Sequence, residues 1–84
     1  MIHINETHSG WDTVLLEVEG VLDQRSVPVL EEVCHRHLKV EKKIVLDLEG
    51  LLHITREGRK FLREIEDRVG ILNVPEFVKL SPRS

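Results

Sequence analysis

The spacing of aliphatic residues switches repeatedly between a period of two and a helical period along this chain, and that succession limits the folds open to it. Val14, Leu16 and Val18 fall on one face of a strand, with Glu17 and Glu19 on the other. Gly20 interrupts the strand, Val21-Leu22 resumes it, and Asp23-Gln24-Arg25 ends it. The period then lengthens. Val27, Leu30, Val33, Cys34, His37 and Leu38 fit one side of a helix over about Ser26–Leu38, with Ser26 as N-cap and Pro28 in the first turn. Ile44-Val45-Leu46-Asp47-Leu48 is apolar on both faces up to Asp47, the pattern of a central strand over Lys43–Leu48. Gly58, Phe61, Leu62, Ile65 and Val69 draw a second helical stripe, capped by Thr55, over Arg56–Arg68.

The ends complete the order. Ile2-His3-Ile4 suits an edge strand, and Asn5 to Asp12 has the polar composition of a hairpin loop, so residues 1–12 form one edge element. Gly70 stops the second helix, Ile71-Leu72 makes a short last strand, and Pro75 opens a short C-terminal helix through Phe77, Val78 and Leu80. Residues 81–84 read as a frayed tail. The sum is β-β-α-β-α-β-α, a single α/β domain over residues 1–84. Right-handed crossovers give it a small mixed sheet with a parallel centre, packed against two main helices plus that short C-terminal helix.

Composition narrows the function classes. Eighty-four residues make one domain, and its aliphatic volume rests on 12 Leu, 11 Val and 6 Ile, with no Ala or Tyr. Twelve basic against fifteen acidic residues leave a net charge of −3, which argues against nucleic acid as a partner. Cys34 is the lone cysteine and cannot form an internal disulfide. No apolar run exceeds three residues, far short of a membrane span, so the expectation is a cytoplasmic domain without direct membrane insertion.

Three stretches, in order, resemble the STAS family, the domain of anti-sigma-factor antagonists and of the cytoplasmic ends of sulfate transporters. They are Gly20-Val21-Leu22-Asp23 before a helix, Ile44 to Leu48 as a central strand, and Leu51 to Gly58 running into the second helix. The resemblance spans Thr13 to Leu80. In the family, an Asp-Leu strand leads to an Asp-Ser-Ser-Gly turn whose first Ser is phosphorylated. Here Thr55 stands in place of the Asp, Arg56 in place of the phosphorylated Ser and Glu57 in place of the second Ser, while Gly58 is kept. The resemblance implies a bacterial signalling module in transcription regulation that binds a protein, such as an anti-sigma factor or a switch kinase, and has lost its serine switch. The alternative it implies is an accessory subunit bracing an ABC ATPase in a lipid-transport complex. A homodimer through exposed sheet edges is the third option.

The candidate docking site is therefore the turn Thr55, Arg56, Glu57, Gly58, Arg59, with Asp23 beside it. A helix start carries unpaired N–H groups and partial positive charge, to which Arg56, Arg59 and Lys60 add formal charge. Gly58 lets another surface approach closely, and both arginines are expected to point away from the core. Thr55 is the nearest hydroxyl to the family's phosphoacceptor and so the residual phosphorylation candidate, although an N-cap oxygen is occupied by backbone N–H groups. For Asp23 the competing reading is a turn residue that satisfies its own backbone. Asp47 is expected to be structural, at the wet end of its strand.

Nothing in the sequence points to catalysis or a cofactor. His35 and His37 lie on different faces of the first helix, and His3, His8 and His53 share no ligand spacing, so no metal site is expected. Cys34 falls on the apolar stripe, and His53 is expected to be a partly buried imidazole. The serines form no triad or elbow and the glycines no phosphate loop, so the domain is expected to be a non-enzyme. Trp11 is either an exposed hot spot or folded over the sheet edge, and Phe77 is expected to cover one end of the core unless the short last connection, Gly70 alone, leaves it exposed.

Overall fold

The computed structural model describes residues 2–78. Five strands and two helices follow in the order β1 (Ile2–Ser9), β2 (Thr13–Leu22), α1 (Val27–Lys39), β3 (Lys43–Asp47), β4 (Leu51–Ile54), α2 (Arg56–Ile65) and β5 (Gly70–Leu72). The sheet runs β1-β2-β3-β5, and β4 also pairs with β2, so β2 and β3 are its inner strands. β1 is antiparallel to β2, while β3 and β4 run parallel to β2 and β5 runs parallel to β3. This is the expected mixed sheet with a parallel centre.

Alternation builds the core. Val14, Leu16, Val18, Ile44, Leu46 and Leu48 all lie buried on one sheet face. Leu30 and Cys34 from α1, with Phe61, Leu62 and Ile65 from α2, cover that face in a single apolar cluster. The parallel pairings demand crossovers, and both helices pack on the same side. Cys34 is 1% exposed, and burial, helped by the nearby Glu31 carboxylate, pushes its thiol up to about 11.

The edges differ from the sequence expectation. β1 extends to Ser9, and the hairpin loop shrinks to Gly10, Trp11 and Asp12, with Gly10 at a positive φ of 79°. Asn5 to Ser9 are polar and exposed, yet each pairs with β2, because an edge strand needs a ladder on one side only. Leu51 to Ile54, not assigned as a strand from sequence, continues the line of β3 along the far half of β2. One irregularity marks the change: Gly20 faces Leu51 and Val21 faces His53, so Leu52 is an extra residue pushed outward. Leu52 is 77% exposed, and His53 is exposed rather than partly buried.

α2 ends at Ile65 instead of Arg68. The amides of Arg68 and Val69 both turn back to the Ile65 carbonyl, at 2.8 and 3.2 Å, which brings Gly70 beside Val45. Gly70 is thus the first residue of β5, not a helix stop. Beyond β5, Pro75 to Val78 form a turn closed by the Val78 amide on the Pro75 carbonyl, and the rest of the expected C-terminal helix lies outside the described residues. Val78 is buried, while Phe77 remains 42% exposed and covers little of the core. Leu80 and the tail at 81–84 lie outside the described residues.

A buried, neutral thiol is a poor nucleophile. Native chain at pH 8 should therefore show no reaction of Cys34 with a thiol reagent until denaturant is added. Stoichiometric labelling of folded protein at the rate of a free cysteine would place Cys34 outside the core.

Candidate functional site

The candidate residues converge on the carboxyl ends of β2 and β4. The Thr55 amide donates to the Leu22 carbonyl at 3.0 Å, and the Thr55 hydroxyl donates to the same oxygen at 3.4 Å. Asp23 follows Leu22 directly, so the loop before α1 and the start of α2 share one edge of the sheet. In open parallel sheets this carboxyl edge is where binding crevices form.

Thr55 caps α2 as its spacing predicts. Its backbone is extended, and Oγ1 accepts from the Gly58 amide at 3.4 Å. The hydroxyl is thus engaged as donor and acceptor within the fold. Arg56 and Glu57 are exposed, and their side chains form no hydrogen bond or ion pair among the described residues.

Gly58 serves a different purpose from the one expected. It is buried, and a Cβ there would lie 2.5 Å from the Leu22 carbonyl oxygen and 2.8 Å from Ile54 Cγ1. The close approach is made by the protein's own β2 and β4, not by a partner. Arg59 also departs from expectation. It is half-buried, and its guanidinium donates to the carbonyls of Val78 (Nε, 3.3 Å) and Phe77 (2.9 Å). Rather than standing free, this side chain clasps the C-terminal turn against α2. The contact spans 18 and 19 residues, and no local pattern in the sequence signals it.

Asp23 is the true cap of α1. Its Oδ1 accepts from the amides of Arg25 (3.0 Å) and Ser26 (2.9 Å) and from the Ser26 hydroxyl (2.9 Å). The hydroxyl bond first, and then the amide bond, both from Ser26, hold the Asp23 carboxyl below its ordinary value. Ser26 makes no cap of its own; the single proton of its buried hydroxyl is shared between Asp23 Oδ1 and the Val21 carbonyl, 2.8 Å away. Asp23 therefore lies on the candidate edge while working as a turn residue. Asp47 ends β3 in a similar role, accepting from the Glu49 amide and from Asn73 Nδ2, each at 3.0 Å.

Sequence reasoning missed one polar cluster. His37 is buried on the apolar stripe of α1 with Nε2 3.2 Å from Glu6 Oε1, and Arg36 donates to Glu6 Oε2 at 3.2 Å. His8 stands edge-on to His37, with ring centroids 5.9 Å apart. The stripe placed His37, but its partner lies 31 residues away on β1, in a segment read as loop. Among the described residues no three His, Cys, Asp or Glu side chains are placed to share a metal ion, and no helix is long and apolar enough to cross a membrane. Trp11, at 88% exposure, stands clear of the sheet at the hairpin tip.

Known structures overlay this geometry. An anti-sigma factor antagonist from Mycobacterium paratuberculosis superimposes with a TM-score of 0.72 at 18% identity, over 84% of this chain and 64% of that one. The unphosphorylated antagonist SpoIIAA gives 0.64 at 18% identity, over 93% and 80% of the two chains. The chain has a STAS-like fold. A third structure, a DUF3478-family protein with a SpoIIAA-like fold from Shewanella loihica PV-4, gives 0.62 at 14% identity over 90% and 69%. The STAS-like domain thus spans less than two thirds of the Mycobacterium protein. No protein-family model matches the sequence, and no curated protein matches it.

The Gly58 contact makes a stability prediction. Alanine would gain about 1 kcal/mol of helix propensity, but a Cβ pressed on a backbone carbonyl forces the start of α2 away from β2. Gly58→Ala should lower unfolding free energy by about 1–3 kcal/mol in a urea titration. An unchanged or raised midpoint would show that the junction has room to spare.

Proposed function

We propose that this STAS-like domain is a non-catalytic regulatory module that binds another protein through the start of α2 and the Asp23 loop, without the usual serine switch. The observation that carries the reading is the convergence of Asp23 and Thr55–Gly58 around the Leu22 carbonyl, with Arg56 exposed beside them. The likeness to anti-sigma factor antagonists supports a binding role for that edge. The remaining free N–H groups of the helix start, with the charge of Arg56 and Lys60, favour a carboxylate or other anionic group on the partner.

Arg56 occupies the position of the family's phosphorylated serine, and a guanidinium cannot accept a phosphoryl group. Thr55, one residue earlier, has its hydroxyl engaged by Gly58 and Leu22. The module accordingly binds without a phosphorylation cycle at this turn. Glu57 completes the contact surface, while buried Gly58 seats the helix start against Leu22 beneath it and Arg59 fixes the neighbouring C-terminal turn. The partner class is an anti-sigma factor or a kinase-like switch protein.

Two readings of one preparation test this. With an antagonist-type kinase and ATP the intact mass should not change; one stoichiometric phosphate on Thr55 would mean the switch has moved rather than vanished. Arg56→Glu should weaken an anti-sigma factor or switch kinase recovered from the native host at least about tenfold, with stability of the free domain shifted by no more than ~0.5 kcal/mol. Equal affinity of the two proteins would remove α2 from the interface, and recovery of an ABC ATPase instead would make the domain a transport subunit.

A further inference from the structure

The two edges of the sheet are built differently. β5 is three residues long and is soon followed by Pro75, which cannot extend a ladder. β1 is eight residues long, pairs with β2 at every position without a register shift, and contains no proline, lysine or bulge. Strand order leaves its other side without a neighbour among the described residues, so alternate N–H and C=O groups point outward along its length.

The surface above that side carries an apolar stripe set among charged groups. The ion pair from Arg36 to Glu6 shows which flank of α1 looks toward β1. Val29, Val33 and Val40 share that flank by helical spacing; Val29 is 49% and Val40 61% exposed, and Val33 is half-buried. Ile2 and Ile4 are half-buried below them, and Ile2 and Val29, with Asp23, Arg25 and Ser26, line an open groove between β1 and the start of α1. An added strand would complete the ladder and lay its inward side chains in this groove, the arrangement of strand augmentation.

We propose that the occupant is a second copy of this chain, pairing β1 to β1 antiparallel about a two-fold axis. The backbone row of an antiparallel edge is its own complement: turned through 180°, its donors meet its acceptors and the same apolar flank returns on the same face. The pleat fixes the register further. Residues that face each other must lie on one side of the sheet, so the axis passes at the level of a residue and not between two. Centring on Asn5 pairs Ile2–His8 fully, with Asn5 opposite Asn5. Centring on Glu6 gives the same overlap but sets two carboxylates face to face, which is unfavourable. Centring on Ile4 gives a shorter ladder.

Sedimentation equilibrium over a concentration series tests the assembly, and a cysteine probe tests the register. Native chain should pass from monomer to dimer. Val29→Glu, present twice across a two-fold interface, should weaken dimerisation at least about tenfold. Cα atoms of directly opposed residues lie ~4.5–5.5 Å apart, within disulfide reach, so Asn5→Cys should give covalent dimer on mild oxidation. Ser9→Cys, equally exposed but not opposite itself, should not, and Cys34 is silent in both because it is buried. A monomer at every concentration, a dimer indifferent to Val29→Glu, or equal cross-linking of the two cysteine variants would overturn the proposal.

Discussion

One carbonyl oxygen organises the candidate surface. Leu22 ends β2, and its C=O receives both the amide and the hydroxyl of Thr55, so the last residue of one strand and the cap of α2 are fixed together. Gly58 makes this possible, since its missing side chain is the space the Leu22 carbonyl occupies. With the helix start pinned there, Phe61, Leu62 and Ile65 come down on the sheet in register, and α2 can be short and still bury its apolar stripe. Asp23 leaves the same point in the other direction and caps α1. Both helices are thus launched from one junction, and the residues left facing solvent at that junction are the ones available to a partner.

The division of labour among the polar residues follows from this. Asp23, Thr55 and Arg59 all make hydrogen bonds inside the domain, and each satisfies backbone groups that would otherwise be left unpaired at a helix end or a turn. Such residues shape a binding surface more than they reach across it. Arg56, Glu57 and Lys60 are exposed on the outer side of the first two turns of α2. In the proposed binding role, a partner that reads charge at this edge would meet Arg56 first, on a helix start whose orientation is set by the groups beneath it.

Much of the fold was legible because aliphatic spacing reports which side of an element is dry. Both helix starts, the central position of β3, the parallel centre of the sheet and the capping role of Thr55 follow from local pattern. The rest depended on contacts distant in sequence. β1 is polar from Asn5 onward, and only its pairing with β2 makes that stretch a strand. β4 is short and irregular, because Leu52 breaks the alternation that identifies strands. Gly58 looked like an opening for a partner, since sequence cannot tell which backbone fills the space beside a glycine. Arg59 looked free for the same reason: its acceptors are carbonyls, which every residue carries and which leave no mark in the side-chain pattern.

The central claim is that the Leu22–Thr55 junction is held as a unit by the close packing at Gly58. Amide hydrogen exchange followed by NMR measures this directly, with the Thr55 amide reporting the junction and the Leu46 amide the sheet. In the native chain the Thr55 amide should exchange as slowly as that of Leu46. In Gly58→Ala it should lose more protection than Leu46 does, because the start of α2 lifts before the sheet opens. A Thr55 amide already unprotected in the native chain, or two amides that change in step, would contradict the account.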